Sequence, residues 1–141
     1  MKFTCTKSDL VQAVQIVAKA VSSKPQMPVL SGIYLKAENN KIELQATDYE
    51  IGITCQVDAN VTESGSIVLS GRYFQEVARR LPGDTVSLEF NREEQTVRIL
   101  SDSANFNLLS LPSAEFPVIK PLAGNTTLSI RDNIFRKKKK K

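Results

Sequence analysis

The amino-acid sequence predicts an α+β domain in which two helices lie on one side of antiparallel sheets. Two stretches repeat apolar residues at helical spacing, and most other stretches alternate apolar and polar residues as strands do. The order strand, helix, strand, strand, strand occurs over residues 2–57 and again over residues 66–109. Because one βαβββ unit is repeated within a domain, we expect two sheets with a pair of helices lying across one side.

The first helix is predicted from Asp9 to Val21. Apolar residues recur there at helical spacing, at Leu10, Val14, Val17, Ala18 and Val21. Thr6, followed three residues later by Asp9, fits a capping box that would satisfy free amide groups at the start of the helix. Pro25 prevents the helical pattern from continuing.

Three strands are predicted after this helix. Residues 33–37 and 42–46 alternate in polarity on either side of the turn formed by residues 38–41, and this pattern predicts a hairpin. Residues 51–57 supply the next strand. Between strands, Asp48 and Glu50 form the nearest approach to a carboxylate pair, and we interpret them as turn and strand-edge residues because nothing around them supplies a catalytic cleft.

The second half repeats this order, beginning with a strand over residues 66–69. A helix from about Gly71 to Leu81 follows, with Ser70 as its predicted N-cap. Its apolar stripe is formed by Phe74, Val77, Ala78 and Leu81. Strands are predicted over residues 86–90, 96–100 and 106–109. Residues 128–135 resemble residues 3–10, a strand that enters a helix, so a third copy of the unit starts there.

The net charge of +4 does not by itself indicate a nucleic-acid partner. Five of the 19 basic residues form the terminal run Lys137–Lys141, and the remaining 14 are outnumbered by 15 acidic residues. A claim of DNA binding must therefore rest on where a few basic residues point, and not on the isoelectric point.

The composition favours a binding protein over an enzyme. Cys5 and Cys55 lie far apart in strand-like stretches and are interpreted as buried thiols, and the sequence has no histidine to complete a metal site or activate a serine. No catalytic residue, cofactor or metal is predicted. Because no apolar run approaches the ~20 residues of a membrane span and the N-terminus lacks the apolar core of a secretory signal, we expect a cytoplasmic protein with no membrane partner.

Four short motifs resemble the bacterial DNA polymerase III beta subunit family, the sliding clamps. They occur in the family's order and spacing over residues 1 to about 136: Lys24-Pro25-Gln26-Met27-Pro28-Val29-Leu30, Ala46-Thr47-Asp48-Tyr49-Glu50, Ser70-Gly71-Arg72-Tyr73-Phe74 and Leu111-Pro112-Ser113-Ala114-Glu115-Phe116-Pro117. The resemblance implies the DNA-clamp fold and a non-catalytic processivity factor. It also implies three such domains per subunit, two subunits that close head to tail around duplex DNA, and helices that line the hole.

The resemblance also assigns candidate residues. Lys24 and Arg72 match family positions that contact DNA, and Arg79 lies two helical turns beyond Arg72 on the same face, with Gln75 between them. A processivity factor must slide, so we expect weak contacts to phosphates without sequence preference. Each of these residues could instead be an ordinary solvated surface residue.

Phe106 and Leu108 alternate on the last predicted strand and therefore face the same way. They match family positions at the edge that pairs with the third domain of a second subunit. Apolar side chains on an edge strand need covering, which dimerisation would provide. The alternative for both residues is packing inside the domain.

The domain boundaries follow from the same resemblance. Residues 1–122 are predicted to form the N-terminal clamp domain, and residues 123–136 the start of a second domain. The basic run over residues 137–141 stands where the family has apolar helix positions. Three interpretations of this run compete: a genuine cationic tail, an artefact, and the translation of an adenine tract after slippage that truncated the gene. We favour artefact or truncation. The family binds polymerase and clamp loader through domains that are absent here.

One competing hypothesis uses the same fold. A free-standing α+β interaction module could bind a protein or peptide at a sheet edge with no role on DNA. Gene sequence continuing beyond residue 141 into two more clamp-like domains favours the clamp, whereas a clean stop followed by unrelated sequence favours the module.

Overall fold

The computed structural model describes residues 1–21, 28–48, 51–111, 113–117 and 126–129 of the chain. Lys24, Glu50, most of the segment assigned to a second domain and the whole lysine run lie outside these ranges. The predicted fold class is confirmed: two helices lie against one side of a large, almost entirely antiparallel sheet.

The first half consists of strand β1 (Lys2–Thr6), helix α1 (Lys7–Val17), and strands β2 (Gly32–Glu38), β3 (Lys41–Thr47) and β4 (Gly52–Asp58). A 3-10 turn, Ala18–Ala20, extends α1, and a second 3-10 turn, Pro28–Ser31, leads into β2. The short strand β5 (Asn60–Glu63) was not predicted, because its four mostly polar residues give no apolar alternation.

The second half consists of β6 (Gly65–Ser70), α2 (Gly71–Arg80), β7 (Thr85–Asn91), β8 (Thr96–Ser101) and β9 (Ala104–Leu111). A 3-10 turn, Ser113–Glu115, follows. Strand β10 (Thr126–Ser129) lies where the third copy of the repeat was predicted to begin, whereas the helix predicted after it lies outside the described residues.

The helix ends are close to the predicted ones, but one cap differs. Thr6 occupies the N-cap position of α1, yet its side chain makes no capping hydrogen bond, so the predicted capping box is wrong. The backbone N–H of Lys7 instead donates to the carbonyl oxygen of Asp84, at 2.8 Å. In α2, the predicted cap is confirmed, since the Ser70 hydroxyl accepts from the N–H of Tyr73.

The two predicted sheets are halves of one ten-stranded sheet with the order β10-β4-β3-β2-β6-β9-β8-β7-β1-β5. The halves exchange their first strands: β1 pairs with β7 of the second repeat, and β6 pairs with β2 of the first. Strands β6 and β9 join the halves through only two residue pairs, Val68 with Leu111 and Leu69 with Ser110. Neither repeat is therefore a complete folding unit by itself.

The main core lies between the sheet and the helices. Leu10, Val14 and Val17 of α1 and Phe74 of α2 are fully buried there against inward-facing strand residues. Helix α1 packs on β3 and β4, and α2 packs on β2, β6 and β9. This burial follows from the helical spacing of the apolar residues, which leaves the opposite faces of both helices to polar side chains.

A smaller apolar cluster lies on the opposite face of the sheet. Tyr34 and Val68 point away from the helices, and Phe116 covers them from the segment that follows β9. The rings of Tyr34 and Phe116 stack with centroids 5.3 Å apart and planes 15° apart. The last family motif thus ties the chain back onto the outer face of the sheet.

Candidate nucleic-acid interface

The exposed face of α2 carries the predicted basic residues. Arg72 and Arg79 are exposed, and Gln75 between them is half-buried. All three line one open groove of about 680 Å³ between α2 and the end of the first helical segment. The groove is also lined by Ala18, Val21, Ser31, Ser70, Tyr73 and Glu76. The spacing of seven residues therefore brings the two arginines together on one surface, as expected for two helical turns.

The backbone at Gly71 fixes the start of this helix against the first half. A Cβ atom at position 71 would lie 2.9 Å from the carbonyl oxygen of Ser31 and 3.1 Å from Cγ2 of Val21. Only glycine permits so close an approach without a shift of its neighbours. The contact sets the position of Arg72, the next residue, relative to the first helical segment.

Lys24 itself lies outside the described residues, so the structure gives no position for its side chain. Val21 and Ser31, which are described on either side of that segment, both lie against Gly71.

The charges of the chain are divided between its layers. The helical segments, residues 7–20 and 71–80, contain five basic and two acidic residues. The strands and connections among the described residues contain five basic and eleven acidic residues. The helical layer is thus positive and the rest of the described chain is negative, which the net charge of the sequence conceals. A polyanion would be attracted to the helices and repelled elsewhere.

Phe106 and Leu108 lie on β9 and face the same side of the sheet as the helices. Both are half-buried and pack at the margin of the main core. Over Ala104–Leu109, β9 pairs with β8 on one side, and among the described strands none pairs with that stretch on its other side. The two apolar residues therefore lie beside an open strand edge.

Two exposed apolar residues, one on α2 and one on β9, were not predicted from the sequence. Tyr73 is 55% exposed in the first turn of α2, and Leu109 is 73% exposed on β9. The alternation of β9 could have identified Leu109, because Phe106 and Leu108 facing inward require residue 109 to face outward. The helical spacing could have identified Tyr73, because position 73 lies beside and not within the apolar stripe formed by Phe74, Val77, Ala78 and Leu81.

The two cysteines are buried thiols, as the sequence indicated. Burial, with a smaller contribution from Asp9, raises the pKa of Cys5 to about 12. Burial raises the pKa of Cys55 to about 11. Within the described ranges there is no cluster of three or more cysteine, aspartate and glutamate residues that could hold a metal ion. In the same part of the chain, no helix is long and apolar enough to cross a membrane.

The carboxylate of Asp48 has a local structural role. Its Oδ1 accepts a hydrogen bond from the backbone N–H of Ile51, at 2.8 Å. This bond closes the turn between β3 and β4, in agreement with the interpretation of Asp48 as a turn residue.

Comparison with known proteins gives one family. The model of the DNA polymerase III beta subunit, N-terminal domain, matches residues 1–120. The beta sliding clamp of Vibrio harveyi is 32% identical over 96% of this chain and 94% of its own sequence. The beta sliding clamp of Bacillus subtilis is 33% identical over 96% of this chain, and the beta sliding clamp homolog GriR of Streptomyces muensis is 34% identical over 86%.

The chain spans 38% of the Bacillus subtilis protein and 32% of the Streptomyces muensis protein. Solved structures give the same family. A crystal structure of the DNA polymerase sliding clamp from Bacillus subtilis matches with a TM-score of 0.82 and 34% identity, over 87% of this chain and 34% of that chain. The polymerase III beta structure from Caulobacter crescentus matches with a TM-score of 0.80 and 31% identity, over 86% of this chain and 33% of that chain. The match to the family model, the identity to relatives and the similarity to solved structures agree with a fold in which two repeats exchange their first strands and both helices lie on one side of the sheet. This chain belongs to the DNA polymerase III beta subunit family, the bacterial beta sliding clamps.

Proposed function

We propose that this chain forms the first wall segment of a sliding clamp, a non-catalytic ring that encircles duplex DNA and tethers the replicative polymerase. The observation that carries this proposal is the division of charge between the positive helical layer and the negative remainder. A ring with its helices inward would hold DNA in its hole, and its acidic outer wall would discourage binding elsewhere.

We assign the DNA contacts to Arg72, Arg79 and Lys24. Arg72 and Arg79 share the exposed groove on α2, and Gln75 between them adds an uncharged polar group. A few long, flexible cations attract phosphates without reading base edges, so the ring stays on DNA and still slides. Lysine at position 24 acts as a point charge, whereas the family often has arginine there.

We assign the subunit contact to Phe106 and Leu108. Both are half-buried beside the open edge of β9, where a strand of another domain could complete the sheet and cover them. In the proposed ring this strand comes from the third domain of a second subunit arranged head to tail. The polymerase and the clamp loader would bind domains beyond the first, and the ring would act on chromosomal DNA in the cytoplasm.

We also propose the division of the chain at residue 122, with residues 123–136 as the start of the second domain. Strand β10 lies in this region but pairs in parallel with β4 at the edge of the first domain's sheet, so it does not by itself mark the boundary. The family model, which ends at residue 120, is consistent with this boundary.

The test uses the full-length protein that contains this domain, loaded on circular DNA. We expect Arg72→Ala combined with Lys24→Ala to load less efficiently and to leave DNA at lower salt than the unmodified protein. Each lost phosphate contact should reduce the slope of log affinity against log salt by about 1. The measurement is DNA retention in a salt titration.

Arg98→Ala is the matched control. Arg98 is exposed on β8 between the core-facing Val97 and Ile99, so it lies on the face of the sheet opposite the helices. Its loss removes one positive charge from the outer wall, compared with two in the Arg72→Ala, Lys24→Ala variant, and should leave retention unchanged. Equal salt curves for the Arg72→Ala, Lys24→Ala variant and the unmodified protein would contradict the proposed contacts.

A further inference from the structure

The groove on α2 contains an exposed aromatic ring as well as its two arginines. Tyr73 lines this groove together with Arg72 and Arg79, and its side chain is 55% exposed. A single exposed apolar residue needs no explanation by itself. Ile51 and Leu109 are at least as exposed, but neither of them lines the groove. Tyr73 therefore differs from the other exposed apolar residues in its place beside two cations.

The polar groups of these three side chains are free to contact a ligand. Within the described part of the chain, neither arginine forms an ion pair and the Tyr73 hydroxyl forms no hydrogen bond. The backbone of Tyr73, by contrast, is fixed, because its N–H donates to the Ser70 hydroxyl. Val21, which lies against Gly71, adds an apolar side chain to the same groove. The groove thus combines two cations, an exposed ring and an apolar wall.

This combination suits the face of an unpaired base. In a duplex each base is stacked between its neighbours and presents only its edges in the grooves, so its faces are closed to a side chain. In a single strand the faces are open, and a basic groove with aromatic rings on which bases stack binds such strands without sequence preference. Arginines contact phosphates, which both forms of DNA carry. The ring, unlike the arginines, therefore distinguishes a single strand from a duplex.

We propose that Tyr73 stacks on unpaired bases, so that the groove on α2 binds single-stranded DNA in addition to the duplex. Arg72 and Arg79 hold the phosphates of either form, as in the proposed function, on which this inference rests. Glu76 lines the same groove, and its carboxylate repels phosphates. The attachment is therefore weak, so a strand can leave the groove and the protein can move along it.

The first experiment measures binding of the intact 141-residue chain to two probes, an oligothymidylate and a DNA duplex of the same length. Tyr73→Ala should weaken binding of the oligothymidylate by about 5- to 100-fold, because one stacking contact is lost, and should change duplex binding by less than about twofold. Tyr73→Phe keeps a ring and should bind both probes within about twofold of the unmodified chain. Both variants keep the N–H that the Ser70 cap accepts, so circular dichroism should be unchanged.

The lysine run over residues 137–141 is the same in every variant. Its attraction for DNA falls as salt rises, whereas the loss of an uncharged ring does not depend on salt. The difference between Tyr73→Ala and the unmodified chain should therefore persist through a salt titration. Leu109→Ala removes an exposed apolar side chain from β9, and as the matched control it should leave the binding of both probes unchanged.

Arg72→Ala combined with Arg79→Ala separates this inference from the proposed function. This double variant should bind both probes more weakly. If it binds both as tightly as the unmodified chain, the proposed DNA contacts fail, and this inference fails with them. If it binds both more weakly while Tyr73→Ala binds the oligothymidylate normally, or weakens both probes equally, the contacts stand and the stacking inference is wrong.

A photochemical cross-link locates the stacked ring in the unmodified chain, so the result does not depend on how a variant folds. An oligothymidylate in which iododeoxyuridine replaces one thymidine becomes bonded to an aromatic ring stacked on it under ultraviolet light. Mass spectrometry of the digested chain should place the adduct at Tyr73, and a duplex carrying the same base should give no adduct there. An adduct only at other residues, or equal yields from both probes, would overturn the inference.

Discussion

At the scale of single residues, the position of Arg72 in the groove on α2 depends on Gly71, the residue before it. Gly71 allows the start of α2 to approach the carbonyl oxygen of Ser31, and Arg72 follows directly. The sequence predicted the helix, its cap and its basic face, because each depends on local spacing. It could not predict the close approach, because Ser31 is forty residues away and meets Gly71 only in the fold.

We expect Gly71→Ala to lower the free energy of unfolding by about 1–3 kcal/mol, because the added methyl group meets a backbone oxygen that cannot rotate away. Chemical denaturation measures this change. Glu76→Ala, on the half-exposed face of the same helix, is the control and should change stability by less than about 0.5 kcal/mol. A Gly71→Ala protein as stable as the control would show that the helix start moves freely.

The buried thiols make stability depend on pH in the alkaline range. A cysteine thiol ordinarily has a pKa of 9.0, and burial raises the pKa to about 12 at Cys5 and to about 11 at Cys55 in the folded chain. Above pH 9 the unfolded chain therefore loses these protons before the folded chain does, and the folded state becomes less stable relative to it. The contribution of the two thiols is fully present below pH 9 and declines as the pH rises toward 11.

Urea unfolding measured below pH 9 and again between pH 9 and 11 tests this dependence. The comparison is with a Cys5→Ala, Cys55→Ala double variant, which separates the contribution of the thiols from that of every other group. The variant should be less stable at neutral pH and should lose less stability as the pH rises. Identical pH profiles would mean that the thiols do not contribute.

At the scale of elements, the segment after β9 fixes the outer face of the sheet. Phe116 is only 4% exposed and stacks on Tyr34, so this turn is part of the packed structure and not a loose exit from the domain. The family resemblance identified the motif, but only the structure shows what its phenylalanine covers. Strand β5, by contrast, matches no motif and was not predicted. Its mostly polar residues form a strand because β1 lies beside them.

We expect Phe116→Ala to lower the free energy of unfolding by about 3 kcal/mol, the low end of the range for a buried aromatic residue, because the outer cluster is small. Thermal or chemical denaturation measures the loss. Leu109→Ala removes an apolar side chain that is 73% exposed and should have little effect on the monomer. Equal effects for the two substitutions would show that the outer cluster does not support the fold.

At the scale of the whole molecule, the repeated βαβββ order was visible in the sequence, but the exchange of first strands was not. Periodicity indicates which residues form strands and which face is buried, whereas it carries no information about which distant strand each one joins. The division of charge between the helical layer and the rest of the chain was likewise not visible in the sequence. The net charge of +4 conceals it, because only the fold separates the helical layer from the acidic strands and connections.

The exchange of first strands also affects the order in which the chain can fold during synthesis. Lys2–Thr6 leave the ribosome before the other strands of this sheet, yet one edge of this strand pairs with residues 60–63 and the other with Thr85–Asn91. Because translation adds only about 5–20 residues per second, the emerging chain carries an unpaired strand for several seconds. The apolar Phe3 and Cys5 within it remain without their native cover for that time. Strand β1 thus gains its second partner only when Thr85–Asn91 have been made, after β2 and β3 have both of theirs.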